Sequence, residues 1–222
     1  RANQRWDPSC LDVAASLEVL RIVAERYAGR VCVCGLGVCN EPAPSIRAGD
    51  LARYYESAIK TIRQAGMRAG EVAVFLPIFT EYRTKEFLQI WVEHYPLYED
   101  VVFDVHFYQC FSLAWQVLTS GGHMKEARKR ADLLHSLPAC CVSEWSLALP
   151  QNVRRSLTDE QAAALHKAFA AEQLKSYETA THGWFFWTWK DSAHFSWCMR
   201  ACLEKGVLSV PEGGRATTVD TP

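Results

Sequence analysis

Apolar and polar positions alternate along the chain in two distinct periods. Leu17, Leu20, Ala24 and Tyr27 recur at helical spacing, and Gly29 follows as a stop. The next run, V-C-V-C-G-L-G-V-C at 31–39, is short and carries β-branched residues, so it reads as a strand. Residues 50–65 return to the helical period, with Leu51, Tyr55, Ala58 and Ile62 on one face and Gly66 behind them. E-V-A-V-F-L-P predicts a strand closed by Pro77, 84–95 a helix, and V-V-F-D-V-H-F-Y a third strand. A polar-faced helix over 122–135 precedes the strand P-A-C-C-V-S-E. A long helix over 158–180 starts at a Thr158–Asp159 cap. G-W-F-F-W-T-W is the last strand, and a short helix at 196–205 follows it. Five strands alternating with helices through short connections predict parallel βαβ units. These build either an open doubly wound sheet or a (β/α) barrel.

Composition narrows this only slightly. The chain has 222 residues, of which 49% are hydrophobic and 22% charged, which suits one globular domain with a sizeable core. A net charge of −1 gives no reason to expect a nucleic acid or an anionic membrane surface as partner. The basic cluster Lys125–Arg130 reads as one solvated helix face. No apolar run reaches the length of a membrane span. The first residue is Arg1, so the start reads as a processed or cloned boundary. The polar stretch after Pro211 reads as a frayed tail. Nine cysteines show no metal-site spacing: Cys32 and Cys34 alternate on one predicted strand, Cys140 and Cys141 are adjacent, and Cys198 and Cys202 lie one helical turn apart. They read as buried small hydrophobes, with one or two disulfides if the protein is secreted and at least one thiol left over.

Candidate chemistry gathers where the strands end, as it does in parallel α/β folds. Asn40 and Glu41 finish the first strand before Pro42. A strand period of two puts Asp104, His106 and Tyr108 on one face of the third strand, and Val101, Phe103, Val105 and Phe107 on the other. Glu144 ends the fourth strand, and Trp184, Trp187 and Trp189 crowd the fifth. Each has a plain alternative. Glu41 reads equally as a turn residue, His106 as a hydrogen-bonded structural histidine, and the indoles as core. Jointly they suggest more. Glu41 and Glu144 are 103 residues apart, and curving the sheet brings both over one pocket. A carboxylate pair flanking a glycosidic bond is the apparatus of glycoside hydrolysis, and mutual repulsion separates the acid from the nucleophile.

N-E-P at 40–42, H-F-Y at 106–108, S-E-W-S at 143–146 and G-W-F-F-W-T-W-K at 183–190 resemble glycoside hydrolase family 5. The likeness is to its exo-β-1,3-glucanase branch and covers roughly residues 10–211. It implies an α/β (β/α)8 TIM barrel of which this chain supplies about strands 4 to 8. It implies Glu41 as general acid/base and Glu144 as nucleophile of a retaining mechanism. Asn40 would hold the sugar 2-hydroxyl, His106 and Tyr108 would orient the glutamates or sugar, and Trp187 would floor the subsite. Two positions depart from the branch: Val105 stands where another histidine is common, and Ser143 where glycine is. The Arg and His of the family's second and third strands have no counterpart, and Arg5 and Trp6 do not replace them.

The resemblance further implies an oligo- or polysaccharide substrate (β-glucan) and a monomer without metal or organic cofactor. The enzyme would be extracellular or cell-wall associated. The expected organisation is a partial barrel domain over 1–211 and a flexible tail over 212–222, the whole being a piece of a longer protein with apolar edges where strands are missing. Three other readings compete: a carbohydrate-binding relative or truncated fragment without activity, a doubly wound binding domain, and a cysteine-nucleophile hydrolase. G-L-G-V-C-N at 35–40 has two glycines and leads into N-E-P rather than a helix, so the dinucleotide fingerprint fails. No cysteine has an evident histidine partner at a strand end.

Overall fold

The computed structural model describes residues 12–78, 83–94, 98–155, 157–192 and 194–209. In chain order the elements are α1 (Val13–Tyr27), β1 (Gly35–Gly37), α2 (Ala48–Gln64), β2 (Ala73–Pro77), α3 (Thr84–His94) and β3 (Val101–Phe107). They continue with α4 (Leu113–Gln116), α5 (Ser120–His135), β4 (Cys140–Trp145), α6 (Gln151–Arg154), α7 (Asp159–Tyr177), β5 (Trp184–Phe186) and α8 (Met199–Glu204). Residues 1–11 and the tail from 210 lie outside the described residues, and with them Arg5, Trp6 and the expected flexible segment 212–222.

All strand pairs are parallel, and the sheet order is β1-β2-β3-β4-β5. A doubly wound sheet reverses its order at a switch point. Here the order runs on without reversal, which is the winding of a barrel, and the five strands form a half-barrel.

Local sequence accounts for the element ends. Asp12 caps α1 by accepting from the Ala15 N–H at 2.9 Å. Thr158 and Gln161 make the reciprocal capping box of α7. Gly66 stops α2 at φ 101°, a conformation that a side chain would strain. The predicted face of α2 is buried at Leu51, Tyr55, Ala58 and Ile62. β1 is shorter than expected because residues 31–34 stay out of the ladder. Cys32 and Cys34 are therefore exposed loop residues rather than strand core. All eight described cysteines are free thiols, and Cys140, Cys141, Cys198 and Cys202 are buried.

The outward face of the strands meets the helices. Phe103 packs on Phe87 and Trp91 of α3, and Phe107 on Tyr177 of α7. Trp145 is fully buried among Tyr177, Trp184 and Phe186, with ring centroids 4.9–5.3 Å away. Two sequence expectations fail on this side. Tyr27 is exposed, although Leu20 and Ala24 on the same stripe are buried. Arg130 is no solvated residue: it is 6% exposed, with its guanidinium carbon 4.3 Å from the Phe107 ring centre, a cation–π contact that offsets part of its desolvation. Val13, Val19 and Ile22 of α1 and Phe185 of β5 are exposed apolar residues at the two ends of the half-barrel. No helix among the described residues is long and apolar enough to cross a membrane.

Candidate active site

The inward face carries the polar residues. β1 runs into Asn40–Glu41–Pro42, and Glu41 takes φ 35°, in the left-handed region that residues with side chains seldom adopt. Pro42 disfavours the right-handed helical alternative at the residue before it. The chain therefore turns sharply off β1 and lays the Glu41 side chain beside β3.

On β3 the period of two holds as expected. Asp104 and His106 share the inward face, and Tyr108 follows just past the strand end. β4 is less regular. Asp104 pairs with Cys141 and Val105 with Val142, but His106 pairs with Glu144 and Phe107 with Trp145. Ser143 is thus an extra residue, a bulge between Val105 and His106. Were Ser143 to take a regular place in the ladder opposite His106, Glu144 would stand opposite Phe107, on the helix-facing side, and Trp145 would point inward. The bulge delivers Glu144 to the inner face and Trp145 to the core at one stroke.

These elements converge on His106. Its Nδ1 lies 2.8 Å from Glu41 Oε1 and 3.5 Å from Glu144 Oε2. Its Nε2 lies 3.7 Å from Asp104 Oδ2, an ion pair rather than a hydrogen bond. Tyr108 donates its hydroxyl to Glu144 Oε2 at 2.8 Å. One ligand-type atom from each of Glu41, His106 and Glu144 lies within 4.8 Å of the others. Burial opposes charge on His106, but Asp104, Glu41 and Glu144 outweigh it and push its pKa up to about 9. The histidine is then an imidazolium at neutral pH. Burial raises the Glu144 pKa above the usual carboxylate range, His106 and Tyr108 pull it back, and Glu41 and Asp104 add to the rise. Burial and the Glu144 carboxylate together hold the Tyr108 phenol protonated, its pKa well above normal.

Two carboxylates and an imidazole are also a set that can ligate a cation. A ligating imidazole must be neutral, and this one is held protonated by the same carboxylates.

Glu41, His106, Tyr108 and Glu144 are brought together. Asn40 is exposed next to Glu41. Trp187 stands just beyond β5, 51% exposed, with its backbone N–H donating to the Trp145 carbonyl at 2.8 Å. The indole cluster divides: Trp184 packs against Trp145, whereas Trp187 and Trp189 are exposed. Two features had no role at the level of sequence. Asp104 was legible only as a member of the polar face, and its place behind His106 needs the fold. Phe111 is 71% exposed and joins Tyr108 and Trp197 in an aromatic wall, with centroids 5.2–5.7 Å apart. Trp197 lies 89 residues from Tyr108, so no local pattern announces the wall.

The sequence model of the Cellulase family (glycosyl hydrolase family 5) matches residues 11–193. The chain belongs to glycosyl hydrolase family 5. Within this family it is 25% identical to a glucan 1,3-beta-glucosidase of Candida oleophila, over 92% of this chain and 56% of the relative. It is 26% identical to the "Probable glucan 1,3-beta-glucosidase A" of Neosartorya fischeri, over 90% and 54%. The chain thus spans about half the length of the curated relatives it matches. Among solved structures it resembles rutinosidase from Aspergillus niger, with a TM-score of 0.63 and 16% identity over 88% of this chain and 57% of that one. That likeness speaks for the family 5 barrel as the fold.

Proposed function

We propose that the protein is a retaining glycoside hydrolase that cleaves β-glucosidic bonds in β-glucan, 1,3-linked glucan foremost. The observation that carries the reading is the close approach of two carboxylates from different strands, with oxygens of Glu41 and Glu144 within 4.8 Å of each other. Retaining enzymes hold their carboxyl groups about 5–5.5 Å apart, while inverting enzymes need about 6.5–9.5 Å to admit a water. The spacing supports direct attack.

The surroundings favour Glu144 as nucleophile. Its side chain is 15% exposed against 36% for Glu41, and although burial raises its pKa, the Tyr108 hydrogen bond and the His106 imidazole act for the ionised form. The acid/base must trade protons with water, so the more exposed Glu41 suits that role. His106 holds Glu41 Oε1, so Oε2 is the oxygen that would carry the proton. In the first step Glu144 attacks the anomeric carbon. The glycosidic C–O bond breaks, and the leaving oxygen takes the proton from Glu41. In the second step Glu41 takes a proton from water, the hydroxide oxygen bonds to the anomeric carbon, and Glu144 leaves as carboxylate. Asn40, exposed beside Glu41, would meet the sugar, and the exposed Trp187 indole and the Phe111–Trp197 wall would offer ring faces for stacking. The relatives named for glucan 1,3-beta-glucosidase activity support the substrate class. A glucan substrate would place the enzyme outside the cell or at the wall.

The test is glucose release from laminarin and from an aryl β-glucoside by the full-length protein, beside Glu144→Gln. The expected result is β-glucose as first product by NMR and a loss of about 10³-fold or more in the variant. Equal turnover in both overturns the role of Glu144, and α-glucose as first product overturns the retaining course. Sugar binding without turnover in the wild type points to a non-catalytic relative instead.

A further inference from the structure

The turn that carries Glu41 has little to hold it. The sheet ladder of β1 gives out at Val38, whose N–H donates to the Phe75 carbonyl at 3.2 Å. Three residues later Glu41 sits at φ 35°, a strained conformation that persists only where the surroundings enforce it. The constraint comes from the turn at residues 43–46, just past Pro42. Arg83 stands at the entrance to α3 and is 1% exposed. Its Nη2 donates to the Ala43 carbonyl at 2.6 Å and to the Ile46 carbonyl at 2.8 Å. The Ile46 N–H donates to the same Ala43 carbonyl at 3.1 Å, so the guanidinium fastens a closed turn. Upstream, the Tyr54 hydroxyl donates to the Val38 carbonyl at 3.0 Å. The segment 39–42 is thus slung between two side-chain tethers from outside the sheet.

We propose that Arg83 is a positioning residue for Glu41: its guanidinium clamps the turn after Pro42 and thereby fixes the Glu41 carboxyl against His106. Burying a guanidinium is costly unless its donors are used. Lining space alone would call for an apolar residue. A planar group with several donors is suited to gripping two carbonyls at once, and an ammonium is not. Arg83 lies 42 residues from Glu41 in sequence and acts on it through the backbone of the turn. The clamp rests on the reading of Glu41 as acid/base, and the test separates the two.

The test compares Arg83→Met, Arg83→Lys and Glu41→Ala in the full-length protein on two β-glucosides. One has a poor leaving group that needs protonation, and the other is a dinitrophenyl glucoside that does not. If Arg83 positions the acid, Arg83→Met loses about 10²-fold on the poor leaving group, the scale of a displaced catalytic group. The step releasing dinitrophenol stays nearly unchanged. Arg83→Lys falls between, since it keeps the charge and fewer donors; it also remains informative if the methionine variant does not fold. An equal loss on both substrates, or no loss on either, overturns the proposal. Glu41→Ala must show the same leaving-group split more strongly. If it does not, the reading of Glu41 fails; if it does and Arg83→Met does not, only the clamp fails. A second readout needs no turnover. Histidine NMR titration of His106 should give a lower midpoint in both Arg83→Met and Glu41→Gln, with Asp104 and Glu144 still supporting part of the shift. A midpoint unmoved in Arg83→Met overturns the clamp.

Discussion

The two faces of β3 and β4 are built from alternate residues of the same strands and answer to different physics. On the outer face, Phe103, Phe107 and Trp145 lie in a continuous aromatic layer under α3 and α7. Apolar contact dominates there, and the gain is burial. On the inner face, Asp104, His106 and Glu144 sit almost as deep, with three carboxylates facing one imidazole. Burial is a cost for those groups, and it is met by mutual hydrogen bonds and shifted protonation. The outer face holds the fold; the inner face spends stability on a fixed charge arrangement. One extra residue, Ser143, keeps the two apart at the end of β4.

Inserting one alanine between Val142 and Ser143 is the hardest blow to that separation. With one residue still bulged, the insertion places Glu144 opposite Phe107, toward the helices, and turns Trp145 toward the sheet interior. The expected outcome is loss of the folded state, read by circular dichroism. A folded and active insertion variant would break the comparison.

Next in size is Trp145→Ala, which strikes the outer face alone. Removing a fully buried indole should cost about 3–5 kcal/mol in denaturant unfolding, with pH dependence of any remaining activity unchanged. A loss under about 1 kcal/mol would mean that the aromatic layer is not the anchor described.

The smallest effect comes from His106. Its folded pKa is raised to about 9, against about 6.5 for an unperturbed histidine. A raised histidine contributes stability that is complete below about pH 6.5 and is lost as pH rises through about 9. The wild type should therefore lose stability across that window, and His106→Gln should lack this part of the slope. Identical slopes in both would show that the imidazole is not charged in the folded state.

Much of this is legible in the sequence because it depends on period. The alternation in D-V-H-F-Y assigns Asp104, His106 and Tyr108 to one face, and the helical stripe of α2 can be read residue by residue. Glu41 is legible because a proline immediately follows a strand-end acid. The bulge is not: C-C-V-S-E-W contains no glycine or proline to mark it, and only pairing with β3 reveals the extra residue. Arg130 misleads because a basic residue in a charged helix carries no local sign of the Phe107 ring it covers. Arg83 is invisible for the same reason, since its partners are carbonyls about 40 residues away. The short β1 and exposed Cys32 and Cys34 show the limit of β-branched content as a guide: β2 meets this run at the Cys34 carbonyl, which accepts from the Ala73 N–H at 2.9 Å, and the strand starts at Gly35.

The account turns on Glu144 as the atom-level partner of the sugar. The most direct measurement is to incubate the full-length protein with a 2-deoxy-2-fluoro-β-glucoside bearing a dinitrophenyl leaving group, then map the label by peptide mass spectrometry. The account predicts one fluoroglucosyl adduct, on the peptide containing Glu144, with Glu41 unlabelled. An adduct on another residue, or hydrolysis of the natural substrate with no adduct formed by the trap, would contradict it.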